Sequence, residues 1–377
     1  MNILFILSRY PGIGGIETVS RIIIPELLLK GHNISIASFL QEGEMDLHNV
    51  PLLCFPEGEL NSNTNKSFLI QKLKDGNYDV IIYQDSYGHT ERCVIESAKN
   101  CNVPVITFEH NTPLFVMNKR GLTPWYTKMG LIRRLLHPYL LNRDRKRKRY
   151  LLQNSFRYVL LSESFVKDFC FFLKLKEVDE KIRVIHNPAL ACTMPDICNK
   201  EKAILCVCQL NSVKRVDMMI RIWKDIQSSI PDWQFWIVGD GEERERLEQM
   251  VNNGGIPRIK FFGFQKPAPY YDKASIFWMT SKYEGWGLTL VEAMQRGCVP
   301  IAMDTYSSLR DIVDNGVNGI ICPSDDLKSF AEETVLLISD DNKRLKMLEK
   351  GRIKTNKWSL DRVVEEWDSL LDELAKS

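Results

Sequence analysis

Glu284 and Glu292 are separated by seven residues inside Tyr283 to Ala302, which reads Tyr-Glu-Gly-Trp-Gly-Leu-Thr-Leu-Val-Glu-Ala-Met-Gln-Arg-Gly-Cys-Val-Pro-Ile-Ala. Carboxylates grip hydroxyls, and the glycines between these two, Gly285 and Gly287, let backbone N–H groups approach a ligand closely. A helical run from about Leu288 to Arg296 follows, closed by Gly297 as a left-handed cap and continued by a buried strand, Val299 to Ala302. The helix start at Gly287, Leu288 and Thr289 offers unpaired N–H groups and a partial positive charge, which together make an anion site. Phosphate at the helix start and hydroxyls on the flanking acids describe a nucleotide sugar. The plainer alternative is a capping box, Thr289 to Glu292, with the carboxylate turned back to the backbone; it leaves Glu284 and the glycine pair without a role.

The elements that would position these groups repeat in α/β fashion. Asn2 to Ser8 reads as a buried strand running into a glycine loop, Gly12 to Gly15, and a helix from Thr18 to Lys30, the opening of a Rossmann-like domain. Strands follow at Asn33 to Phe39, Val50 to Phe55, Tyr78 to Gln84 and Val103 to Phe108, with helices at Ser67 to Lys74 and Glu91 to Lys99. The strand at Val103 delivers Glu109-His110-Asn111 at its carboxyl end, where ligands of open α/β sheets collect. Arg157 to Ser162 reads as the last strand of this domain, and Ser162 to Ser164 as the cap of a helix reaching about Leu173. Cys192 to Lys202 has no periodicity and serves as a linker. A second Rossmann-like unit starts with a strand from Ala203 to Gln209, then a helix from Val216 to Ile226, a strand from Trp233 to Val238, a helix from Glu243 to Val251, and strands at Ile259 to Phe264 and Ser275 to Thr280. Leu327 to Ser339 and Leu360 to Leu374 read as helices, the second amphipathic.

Glu-Gly-x-Gly-Leu-x-x-x-Glu-Ala-Met-x-x-Gly-x-Pro, with its two acids seven residues apart, resembles the signature of retaining glycosyltransferases of the GT-B fold, family four. The resemblance implies an α/β chain of two Rossmann-like domains facing across a cleft: residues 1–187 for the acceptor, 188–356 for the nucleotide sugar, and 357–377 as a helix returning to the first domain. It covers the second domain strongly and the first by its loops. Gly14-Gly15-Ile16-Glu17 resembles the family's Gly-Gly-x-Glu loop near the donor diphosphate, and His110 matches the histidine under the transferred sugar. Arg183-Val-Ile-His-Asn-Pro188 resembles the family's strand and Asn-Pro turn that pass the chain to the second domain, and Asp304 to Val313 with Asn315 to Gly319 the closing strand and turn. Lys214 matches the lysine that grips the diphosphate, but Gln209 stands where the family has an arginine, and glutamine supplies a hydrogen bond without a charge. Arg215 next door could substitute, though its one-residue shift should point it elsewhere. Gly263-Phe264-Gln265 falls where the base is held. The implied roles are electrostatic for Lys214, Gln209 and the N–H groups of Gly287 to Thr289, ribose binding for Glu292, a sugar hydroxyl for Glu284, and the backbone carbonyl of His110 for charge at the sugar. No Asp-x-Asp stands where a metal-bound diphosphate is expected, so neither metal nor cofactor is called for.

At 377 residues the chain holds two ordinary domains, and 44% hydrophobic with 26% charged residues is the composition of a soluble globular protein. No apolar run reaches transmembrane length, the start lacks a signal peptide's basic lead, and the ten cysteines show no paired metal-ligand spacing, which points to reduced thiols in a cytosolic protein. The net charge of +2 hides an asymmetry: Lys128 to Arg149 holds nine basic residues and one acid, giving it +8 and leaving −6 elsewhere. Interleaved with leucines and split at Pro138, this segment reads as a basic amphipathic helix pair suited to an anionic membrane surface or a lipid-linked acceptor, or else as a solvated edge. Nucleic acid is disfavoured because no nucleic-acid module accompanies the patch. The expected activity is transfer of a hexose-type sugar, UDP-linked, to a glycan or lipid-linked acceptor in bacterial surface polysaccharide synthesis. The rivals are a nucleotide-sugar epimerase or phosphorylase on the same scaffold, and a catalytically weakened sugar-nucleotide-binding subunit suggested by Gln209.

Overall fold

The computed structural model describes residues 1–12, 14–43, 47, 49–58, 61–85, 90–118, 128–189 and 200–376. The chain divides into two compact units, one of residues 1–188 with 361–377 and one of 189–360. Apolar runs such as Ile3-Leu4-Phe5-Ile6-Leu7, buried along their whole length, form strands covered on both faces, which is the condition for an all-parallel sheet.

The first unit carries β1 (Asn2–Arg9), β2 (Asn33–Leu40), β3 (Leu52–Cys54), β4 (Val80–Asp85), β5 (Val105–Glu109), β6 (Arg157–Leu160) and β7 (Ile182–Val184). They pair in parallel in the order β3-β2-β1-β4-β5-β6-β7. The order reverses between β1 and β4, so loops after β1, β4 and β5 gather at the carboxyl edge beside the switch point. Helix Leu360–Ala375 belongs to this unit: Trp367 stacks on Phe108 with centroids 4.2 Å apart and on Phe5 at 5.8 Å, and Glu373 takes the guanidinium of Arg183 at 2.9 Å.

The second unit carries β8 (Glu201–Val207), β9 (Gln234–Val238), β10 (Ile259–Gly263), β11 (Ala274–Met279), β12 (Val299–Met303) and β13 (Ile320–Cys322), parallel in the order β10-β9-β8-β11-β12-β13. Its switch point lies between β8 and β11. Trp223, Phe235 and Trp278 fill the core beneath.

Three expectations are corrected. The first sheet does not end at β6: the strand that the resemblance puts at Arg183 is Ile182–Val184, and it pairs with β6 as the edge of this sheet. Asp304 to Val313 is a loop and a short helix, Leu309–Ile312, and the closing strand is Ile320–Cys322. The basic segment is one helix, Lys128–Asn154, with Pro138 inside it. A mid-helix proline costs about 3 kcal/mol, and the anchoring of the later half outweighs it. There Leu151 and Leu152 are buried, Lys148 bonds Glu109, Arg147 bonds the buried Asp144 at 3.2 Å, and Arg145 and Arg149 donate to Phe172 O and Leu173 O, each at 2.7 Å. The helix Asp341–Thr355, absent from the sequence reading, starts at Asp340, whose side chain accepts from Lys343 N at 2.8 Å.

Candidate active site

In the second unit the loop after β8 and the loop after β11 form one structure. Asn211 Oδ1 accepts from the N–H groups of Val213 at 3.1 Å and Lys214 at 3.3 Å, a local turn that fixes the lysine's backbone. Thr280 Oγ1 donates to Lys214 O at 3.0 Å and Arg215 O at 3.1 Å, and Lys282 N donates to Val213 O at 2.8 Å. The outcome is an ion pair: Lys214 Nζ lies 2.6 Å from Glu284 Oε1, with side chains 23% and 13% exposed. Burial lowers the Lys214 pKa, but the charge and hydrogen bond of Glu284 outweigh it and hold the pKa above the ordinary lysine value. The ammonium is therefore a fixed charge at neutral pH.

Gly287 caps helix Leu288–Gln295 at φ 92°, a conformation that favours glycine, and an added Cβ would crowd the Tyr306 hydroxyl at 3.3 Å. The N–H groups of Leu288 and Thr289 open this helix. Gly297 ends it at φ 77°, as the sequence indicates. The capping box does not form; Glu292 Oε2 instead accepts from the Tyr271 hydroxyl at 3.0 Å. Burial pushes the Glu292 pKa up, opposed by that hydrogen bond and by Arg296.

Gln209 is exposed, its Oε1 receiving Asn211 Nδ2 at 3.3 Å. Arg215 is engaged elsewhere, donating to Thr280 O at 2.7 Å and pairing with Asp325, so the turn's second cation does not stand in for the missing arginine. Phe264 follows β10 and is 71% exposed. The close approach of the neighbouring loops needs glycine at 239, where a Cβ would lie 1.8 Å from Cys208 O.

Gly14, Gly15 and His110 lie in the first unit. Gly14 precedes helix Gly15–Leu29, and a Cβ there would meet Glu17 Oε2 at 2.3 Å. Glu17 is itself buried and paired with Arg9 at 3.1 Å. His110, 8% exposed, follows β5, with Nε2 paired to Gln84 Oε1 at the end of β4. The adjacent Glu109 is buried, accepting from Lys148 Nζ and, at 2.6 Å, from the Tyr158 hydroxyl. Gln84, Lys148 and Tyr271 were not read as site neighbours, since each meets its partner across 21 to 39 residues of chain with no local motif.

Two family models match the chain in succession: Glycosyltransferase Family 4 over residues 13–189 and Glycosyl transferases group 1 over residues 195–354. The chain belongs to the family-4-type glycosyltransferases of the GT-B fold. An uncharacterized glycosyltransferase of Haemophilus influenzae is 29% identical over 179 residues, 46% of this chain and about half (49%) of that protein. The GalNAc-α-(1→4)-GalNAc-α-(1→3)-diNAcBac-PP-undecaprenol α-1,4-N-acetyl-D-galactosaminyltransferase of Campylobacter jejuni is 23% identical over 99% of both chains. Among solved structures, Anabaena HepE in complex with UDP and glucose superposes with a TM-score of 0.77 at 18% identity, covering 99% of this glycosyltransferase and all (100%) of HepE. The lipopolysaccharide outer core galactosyltransferase WaaB gives 0.73 at 19% identity over 99% of each chain. At these identities the superpositions show the fold.

Proposed function

We propose that this glycosyltransferase moves a hexose-type sugar, with retention of configuration and without a metal ion, from a UDP-sugar to a glycan or lipid-linked acceptor in the assembly of a bacterial surface polysaccharide. The observation that carries the reading is the Lys214–Glu284 pair beside the Gly287-capped start of helix Leu288–Gln295: a fixed cation and open N–H groups for a diphosphate, and a carboxylate for a hydroxyl. Lys214, Gln209 and the N–H groups of Gly287 to Thr289 neutralise the departing nucleoside diphosphate, which supplies the charge relief that a metal gives elsewhere. Glu292 holds the ribose, Glu284 a sugar hydroxyl, and Phe264 the base. His110 lines the sugar, its ring fixed by Gln84. The choice of UDP is supported by the folds of complexes that contain UDP and UDP-glucose, and the choice of acceptor by the undecaprenol-linked substrate named for the Campylobacter relative. The test is transfer from a panel of UDP-sugars in the presence of a chelator, with the product's anomeric configuration read by NMR. Retained configuration and undiminished turnover are expected; inversion, or loss of turnover restored by a divalent cation, overturns the mechanism. Donor binding without any transfer would favour the weakened-subunit reading that the exposed Gln209 suggests.

The same reading puts the protein in the cytoplasm against the inner membrane face. Among the described residues no helix is long and apolar enough to cross a membrane. Helix Lys128–Asn154 instead exposes Leu131, Leu135 and Tyr139, spaced by four, and Ile132 and Leu136 beside them, with Arg134, Arg143 and Lys146 also exposed. Apolar side chains with flanking cations suit an anionic bilayer surface. Liposome flotation should show salt-weakened binding that Leu135→Glu with Leu136→Glu abolishes; absence of binding at low salt would make this face a solvated edge.

A further inference from the structure

The strand-to-helix passage before β11 holds the one carboxylate of the donor helix in place. Tyr271, 1% exposed, lies in helix Ala268–Lys273 and donates its hydroxyl to Glu292 Oε2 at 3.0 Å. Its own backbone is tied down: the carbonyl accepts from Lys200 Nζ at 2.7 Å and from Cys298 Sγ at 3.2 Å. Lys200 Nζ also donates to Arg296 O at 2.5 Å, at the end of the helix that carries Glu292, and Arg296 pairs with Asp272 at 2.7 Å. The phenol and the end of the donor helix are thus fastened to the same ammonium, and the Tyr271 ring packs on Phe277 with centroids 5.9 Å apart. Little freedom is left to the hydroxyl.

We propose that Tyr271 is a positioning residue that occupies one oxygen of Glu292, turns the other toward the donor's ribose hydroxyls, and so sets the preference for ribonucleotide over 2′-deoxyribonucleotide donors. The inference rests on the proposed donor site, in which Glu292 accepts from the ribose. A carboxylate whose Oε2 is held by the phenol is fixed in one orientation with Oε1 as its open oxygen, and an ordered acceptor discriminates the presence of a hydroxyl better than a rotating pair. Burial and the Glu292 carboxylate hold the Tyr271 pKa well above the ordinary tyrosine value, so the phenol remains the donor throughout the working pH range.

The experiment is calorimetric titration of wild type and Tyr271→Phe with UDP and with 2′-deoxy-UDP, at several pH values between about 5.5 and 8. Phenylalanine keeps the ring and its packing, and thermal denaturation with near-ultraviolet circular dichroism checks that the variant is folded. Wild type should bind UDP at least about tenfold tighter than 2′-deoxy-UDP, and Tyr271→Phe should bring that ratio to within about twofold of one by weakening UDP alone. The acid limb of UDP affinity should also lie at higher pH in the variant than in wild type, because the hydrogen bond lost is one that favours the Glu292 carboxylate. The β-phosphate of UDP titrates alike against both proteins and cancels. A folded variant that keeps the wild-type ratio and acid limb makes Tyr271 a core residue and overturns the inference while leaving the donor site standing, as does a wild type that binds both ligands equally. Failure of wild type to bind UDP overturns the donor-site reading itself.

Discussion

Lys214 and Glu284 meet at 2.6 Å although 70 residues separate them in the chain, and each is mostly shielded from water. Lys214→Ala should reduce kcat/KM by at least about a hundredfold, the range for losing a preorganised transition-state charge. Steady-state kinetics on a variant of unchanged thermal stability would check this, and wild-type kcat/KM would remove Lys214 from the site.

Glu284→Gln has a signed pH consequence. In the native pair Glu284 holds the Lys214 pKa up against burial, so the lysine's charge is present below the ordinary lysine value and is lost only as pH rises through the raised one. With glutamine there, burial acts with much less opposition and the Lys214 pKa falls. The alkaline limb of nucleoside diphosphate binding should therefore move to lower pH than in wild type; titration of affinity against pH measures the shift, and an unmoved limb would mean that Glu284 does not set the lysine's charge.

Gln209→Arg should tighten nucleoside diphosphate binding, because it adds a guanidinium to a turn where Arg215 is held by Thr280 and Asp325. Calorimetry with UDP reads the gain. Unchanged affinity would show that position 209 does not face the phosphates.

Lys148→Met should destabilise the protein by about 3–5 kcal/mol, since it strands Glu109 as an uncompensated buried charge. Replacing Lys148 and Glu109 together by apolar residues should cost less than the single change. Urea denaturation followed by circular dichroism distinguishes the cases, and equal losses would mean that the pair is not coupled.

Trp367→Ala should cost about 3–5 kcal/mol of stability through lost packing on Phe108 and Phe5. The first unit's transition should shift in thermal or urea denaturation; an effect below about 1 kcal/mol would show that the stack contributes little.

The strands that the sequence discloses are those with unbroken apolar runs, β1, β5 and β11 among them, because a parallel strand covered on both faces has no polar alternation to disguise it. Of the three-residue strands, β3 lies within a predicted run, Val50 to Phe55, whereas β7 was legible only through the resemblance of Arg183 to Pro188 and β13 shows no pattern, so that their place is decided by the neighbours they pair with. The helix start at Gly287 was legible because glycine chemistry is local. The burial of Lys148 was not: a lysine in a run of cations reads as solvated, and only the return of β5 beside the helix brings Glu109 to it. For the same reason Glu292 was read with its hydroxyl ligands in view and without Tyr271, whose approach depends on how β11 is entered.

The first unit is discontinuous, interrupted after Pro188 and resumed at Asp361. A ribosome releases Phe5 and Phe108 well before Trp367, with the whole of the second unit emerging in between. During that interval the strand that ends in Glu109, next to His110, lacks its aromatic cover, whereas the second unit, contiguous in sequence, has all of its strands as soon as it is made. Order of synthesis and order of completion are thus reversed: the half of the molecule made first is finished last.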